Sequence, residues 1–203
     1  MAVRLVAFDL DGTLIRGRNA LEVLGDAFGR PEWADRMEIL SMRGETPEQM
    51  RRRVGPWLPI PRAERCRPLS TVRLAPGANE AFRLLHERGV ATAIVSISWD
   101  FIVAWFARRF GAAHWAAVRL GPDGTVTPLW PEDKGPWLER LMATLGLTRD
   151  EVAAVGDSPR DASLLRACGH AFYVGAALPS DLPGIHHHPD GDLEVVARAI
   201  LRC

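Results

Sequence analysis

At 203 residues, with 47% hydrophobic and 25% charged positions, the chain can bury one sizeable core with room for a smaller appended unit. Its formal net charge is zero, which offers nothing to a nucleic-acid or membrane-surface role, and no apolar run approaches a membrane span. With no signal-peptide pattern and three scattered cysteines (Cys66, Cys168, Cys203) that form no CxxC, a cytoplasmic protein without disulfides or a zinc site is expected.

In chain order, "VRLVAF" (3–8) predicts a buried strand, β-branched and apolar, that ends at Asp9. From about residue 19 to 57 the pattern turns helical in "ALEVLGDAF", "EWADRMEILSM" and "TPEQMRRRVGPWL", interrupted at Gly29, Pro31 and Gly44. The Pro- and Arg-rich "PIPRAERCRPLSTVRLAPG" predicts a connector back to the main body. "ANEAFRLLHERG" predicts an amphipathic helix closed by Gly89, and "VATAIVS" a second buried strand ending at Ser96. "WDFIVAWFARRFG" predicts a helix, and "HAFYVG" and "EVAAVG" two further strands. "HWAAVRL" and "TVTPLW" flank the turn signal "GPDG" and predict a short strand pair. "KGPWLERLMATLG", "ASLLRACG" and "DLEVVARAIL" complete the helices.

Strands alternating with helices imply an α/β fold, a Rossmann-like doubly wound parallel sheet. The helical stretch after strand one interrupts that alternation. Residues 16–74 are therefore read as a small inserted helical cap, and residues 1–15 and 75–203 as the α/β core. The cap carries twelve Arg against eight Asp plus Glu, either a solvated surface or a lid that attracts an anion.

Ligands of an open parallel sheet bind beyond the carboxyl ends of its strands. Three strands bring polar chemistry there: Asp9 and Asp11, then Ser96, then Asp157 and Asp161 of "GDSPRD". Carboxylates crowded into one crevice repel each other unless a cation neutralises them, and an all-oxygen set suits Mg2+. Lys134 is the only lysine among 25 basic residues. In a chain so biased toward arginine, a retained lysine suits a compact ammonium beside a small anion. Asp9 can attack phosphorus, while Asp11, sharing its direction in extended chain, can protonate the leaving oxygen and then activate water.

At these residues the sequence resembles the haloacid dehalogenase (HAD) superfamily of phosphatases. "DLDGT" (9–13) matches its first motif, "AIVS" ending at Ser96 its second, Lys134 its third and "GDSPRD" (156–161) its fourth. The resemblance implies Asp9 as nucleophile and Asp11 as general acid/base, with Ser96, Lys134 and Thr13 at the phosphate. It further implies Mg2+ held by Asp9, the backbone carbonyl of Asp11, and Asp157, with Asp161 in support, and a cap of the C1 type. Within the superfamily the chain is similar to phosphoserine phosphatases, in "SISWDFIV", "AAVRL" and the arginine-bearing "EQMRRRV" with Arg53. It departs from them where their cap glutamate aligns with Arg18, their Gly-Gly with Ile97 and Ser98, and a loop Asn with Arg160.

An arginine cannot pair with an ammonium. The expected substrate is therefore a small phosphate ester with a second anionic group, met by Arg18, Arg43 and Arg53, and not phosphoserine. Trp57 and Trp99 are candidates to wall the substrate, in competition with plain packing. The alternatives are a phosphoserine phosphatase proper, a phosphomutase, or a non-catalytic phospho-ligand-binding member. "IHHHP" (185–189) is read as a surface loop or edge strand, since consecutive histidines point in different directions.

Overall fold

The computed structural model describes residues 2–30, 42–180, 182 and 184–203. Its centre is a seven-stranded sheet of order β4-β3-β2-β1-β5-β6-β7. The strands are β1 (Leu5–Phe8), β2 (Ala91–Trp99), β3 (His114–Leu120), β4 (Val126–Thr127), β5 (Val152–Gly156), β6 (His170–Tyr173) and β7 (His186–His187). All neighbours run parallel except β3 and β4. Every residue of β1 and of β5 is buried, as expected of strands covered on both faces. The expected α/β fold is present.

Around the sheet lie α1 (Ala20–Ala27), α2 (Pro47–Val54), α3 (Arg62–Cys66), α4 (Ala78–Glu87), α5 (Asp100–Phe110), α6 (Lys134–Leu145), α7 (Ala162–Ala167) and α8 (Leu193–Ile200). Local chemistry starts the two longer helices among the described residues of 16–74. Asn19 and Glu22 form a capping box on α1, and Thr46 and Gln49 form one on α2, where Pro47 opens the first turn. The helix expected over "EWADRMEILSM" lies, apart from Met42, outside the described residues.

The connector expected from the Pro- and Arg-rich stretch is more ordered than its composition suggests. It holds α3 and a 3-10 turn over Arg67–Thr71. Pro61 and Pro68 sit before or at the first positions of these turns, where a missing N–H costs nothing.

Register places the chemistry. Phe8 pairs with Ile94 on one side and Val155 on the other, so Asp9, Ser96 and Asp157 emerge at one edge of three adjacent strands. The Asp9 N–H continues the ladder to the Val155 carbonyl at 2.9 Å. Here β1 lies between β2 and β5, where the winding reverses, the usual ligand crevice of such sheets. The second strand does not stop at Ser96. It runs on to Trp99, with a register break between Val95 and Trp99 that re-aims residues 96–98.

The histidine run is an edge strand. His186 and His187 pair with Phe172 and Tyr173, and the His186 ring stacks on Phe172 with centroids 4.7 Å apart.

Candidate active site

A cavity of about 60 Å³ lies beyond the ends of β1, β2 and β5, lined by Asp9, Asp11, Ser96, Lys134 and Asp161 together with Asn19, Leu21, Ile97, Ser98, Ser158 and Arg160. Its most buried part is a charged cluster. The Lys134 ammonium donates to Asp9 Oδ1 at 2.6 Å and to Asp161 Oδ1 at 2.7 Å. All three side chains are at most 7% exposed.

Lys134 reaches this point because it opens α6, directly after the 3-10 turn Pro131–Asp133. Asp161 builds the loop after β5: its Oδ2 accepts from the N–H groups of Asp157 and Ser158, each at 3.1 Å. A Cβ at Gly156 would lie 2.5 Å from the Asp161 side chain, so the strand must end in glycine for this acid to fold back.

Asp157 comes close to the first motif. A Cβ at Gly12 would fall 2.2 Å from its carboxylate, and Gly12 holds φ +98, so that position admits only glycine without strain. Thr13, expected at the phosphate, is instead fully buried, and its hydroxyl donates to Asp157 Oδ1 at 3.0 Å. It orients an acid and does not line the cavity.

Asp9, Asp157 and Asp161 each offer an oxygen within 4.8 Å of the others'. Burial, then Asp161, pushes the Asp9 carboxyl well above the usual range, against the pull of Lys134. Burial and Asp161 likewise push Asp157 up to about 6. Burial alone would lower the Lys134 ammonium, but Asp161 and Asp9 outweigh it and raise it. One lysine thus leaves the three acids with excess negative charge, and their hard oxygen donors fit a small divalent cation.

A pH dependence follows from Asp157. Its folded pKa lies above its unfolded value, so its stabilising contribution is full below about 3.8 and is lost as pH rises through about 6. In metal-free protein, the melting temperature of the wild type relative to Asp157→Asn is expected to fall between those pH values. Thermal melts with chelator check this.

Asp11 sits in a different setting. Its Oδ2 accepts from the Ser98 hydroxyl at 2.6 Å and its Oδ1 from the Ala20 N–H at 3.2 Å. It reaches the cavity through a turn over residues 10–15, where the Leu14 and Ile15 N–H groups bond the Leu10 carbonyl, and not through extended chain as expected. Ser96 is 1% exposed and its Oγ accepts from the Ser98 N–H at 3.1 Å. Sequence reasoning missed the parts played by Ser98 and Asn19. The "NALE" capping pattern was a signal for Asn19; Ser98 had none, because its direction depends on the break in β2.

The expected anion pocket is not assembled. Arg18 pairs with Asp26 at 2.6 Å and donates to the Glu22 carbonyl at 2.8 Å, on an outer groove with Arg16 and Arg73. Arg43 pairs with Glu132 at 2.8 Å and lies over the Trp130 ring at 4.8 Å. Arg53 pairs with Glu45. Trp57 and Trp99 are fully buried, Trp57 against Phe101, and serve as core. In a chain with equal acid and base, each of these three arginines pairs with a nearby carboxylate. Arg18→Ala is accordingly expected to change kcat/KM by less than about twofold, an ordinary result for an exposed pair; steady-state kinetics on the best ester checks it.

The family described as haloacid dehalogenase-like hydrolase matches residues 6–166, from the first strand through the fourth motif. The chain belongs to that family. Among its relatives in the HAD family is the phosphoserine phosphatase of Methanocaldococcus jannaschii, 28% identical over 82% of this chain and 82% of that protein. Phosphoserine phosphatase SerB2 of Mycobacterium tuberculosis is 28% identical over 92% of this chain, which spans only 48% of that longer protein. A solved structure of a phospho-aspartyl intermediate analogue of phosphoserine phosphatase superposes with a TM-score of 0.65 at 25% identity, covering 85% of this chain and 87% of that one.

Proposed function

We propose that this HAD-family chain is a magnesium-dependent phosphatase of small phosphate monoesters, working through an aspartyl-phosphate on Asp9, with phosphoserine as substrate. One observation carries the chemistry: two acids two residues apart reach the same cavity with different partners. Asp9 sits against Lys134 among other carboxylates, and Asp11 is held by neutral donors from Ser98 and Ala20. Groups set apart in this way take different roles.

Asp9 Oδ attacks phosphorus, and the bond from phosphorus to the ester oxygen breaks. Asp11 gives that oxygen a proton. Asp11 then takes a proton from water, whose oxygen attacks the acyl phosphate and frees Asp9. Lys134 and the Ser96 hydroxyl hold phosphoryl oxygens throughout. Asp9, Asp157 and the Asp11 backbone carbonyl would hold Mg2+, with Asp161 in support through Lys134 and the loop N–H groups. When bound, the ion screens the repulsion between carboxylate and phosphate.

The earlier expectation against phosphoserine rested on Arg18, which faces away from the cavity. The relatives named above are phosphoserine phosphatases. The cavity, about 60 Å³, suits a small substrate. Residues 16–74 act as the cap on this reading. They leave and rejoin the core side by side: Arg16 N–H bonds the Arg73 carbonyl and Ala75 N–H the Leu14 carbonyl, both at 2.9 Å.

Phosphate release from a panel of phosphoserine, phosphothreonine, phosphoethanolamine, phosphoglycolate and sugar phosphates tests the reading. Phosphoserine is expected to show the highest kcat/KM, and chelator to abolish release. No release from phosphoserine, or release that chelator leaves intact, would overturn it.

A further inference from the structure

We infer that Asn19 is a specificity-determining residue whose carboxamide N–H binds a carboxylate on the leaving-group side of the substrate. The inference rests on the phosphatase reading above and names the substrate class that the site selects.

Asn19 is 4% exposed and lines the cavity with Asp9, Asp11, Ser96 and Lys134. Its orientation is set by the start of α1. The side-chain Oδ1 accepts from the Glu22 N–H at 2.9 Å, and the backbone N–H of Asn19 donates to Glu22 Oε2 at 2.7 Å. With Oδ1 committed to the cap, the amide cannot be turned over without losing that bond. Nδ2 is then left buried with no hydrogen-bond partner. Buried donors are nearly always satisfied, so an orphan facing a cavity marks where a ligand acceptor belongs.

Position and charge narrow the acceptor. The next residue, Ala20, donates its N–H to Asp11 Oδ1, which puts Asn19 beside the acid that protonates the leaving oxygen. The phosphoryl end of the cavity is served by Lys134 and Ser96. The start of an eight-residue helix and Arg160 bring positive charge to this side of the cavity, set against the Asp11 and Glu22 carboxylates that already bond the same helix start. An ammonium would find only donors at Asn19. A carboxylate close to the ester oxygen, as in a phosphorylated hydroxy acid or phosphoserine, gives this donor its acceptor.

Phosphoserine and phosphoethanolamine differ only by that carboxylate, so their relative affinity reads the contact. Affinities are measured by titration calorimetry with magnesium in Asp9→Asn protein, where no turnover is needed. Hydrolysis by the intact protein then bears on the proposed function alone. Asn19→Asp and Asn19→Ser both keep an N-cap acceptor and are expected to melt near the parent temperature. Asn19→Ser should lower the preference for phosphoserine over phosphoethanolamine by about tenfold to a hundredfold, the worth of one hydrogen bond to a charged group. Asn19→Asp should lower it further, through repulsion of the carboxylate. The inference is overturned if the preference stays within about twofold in both variants, if both esters weaken equally, or if the parent binds neither.

Discussion

Replacing Asp9 by asparagine is expected to cut phosphate release by about 10⁴-fold or more, because the variant keeps the shape of the site and loses the nucleophile. The same change should not destabilise metal-free protein at neutral pH. Asp9 carries a carboxyl whose pKa is raised by burial and by two neighbouring acids, so its ionised form opposes folding there. Asparagine removes one of three crowded charges while Lys134 keeps Asp161 at 2.7 Å. A melting temperature equal to or above that of the wild type, with activity gone, is the expected pair of results. Such a split marks a residue retained for chemistry and not for stability. A variant that released phosphate at even a tenth of the wild-type rate would remove Asp9 from the mechanism.

Lys134→Met should have the largest effect on stability. Lys134 is 2% exposed and serves two carboxylates that are themselves buried. Removing one partner from a buried ion cluster costs about 3–5 kcal/mol, since the remaining charges stay desolvated without compensation. For a chain of this size that is a fall in melting temperature of roughly 6–20 °C. The loss should be smaller at pH 5 than at pH 7, because the acids left behind can take up protons, as the raised pKa values of Asp9 and Asp157 already favour. Melting curves of the two proteins at both pH values check the size and the sign. A change below about 1 kcal/mol, as for an exposed pair, would mean that the acids do not need the ammonium.

The parts of this site that could be read from sequence are those carried by local pattern. A β-branched strand that ends in "DLDGT" says where Asp9 emerges, and the single lysine of an arginine-rich chain picks out Lys134. Side-chain directions outside regular elements were not legible. Arg18 immediately precedes the N-cap of α1, and counting residues cannot tell whether it turns toward the cavity or, as found, toward Asp26 on the same helix. Ser98 touches Asp11 only because β2 breaks register after Val95, and no residue type in "SISW" announces that break. Thr13 was misread for the opposite reason. It is the last residue of the motif, but the turn that positions Asp11 sends it inward to Asp157. Motif positions specify where the backbone goes; the hydrogen bonds of neighbouring loops decide what each side chain touches.

The most direct measurement is to trap the intermediate. Protein turning over phosphoserine with magnesium is quenched and reduced with borohydride, which converts an acyl phosphate to the alcohol, and the peptide spanning β1 and "DLDGT" is read by mass spectrometry. The expected result is homoserine at Asp9 and at no other acid, absent from Asp9→Asn and from protein treated with chelator. Turnover with Asp9 unmodified, or with the label on Asp11 or Asp157, would contradict the assignment of Asp9 as the nucleophile.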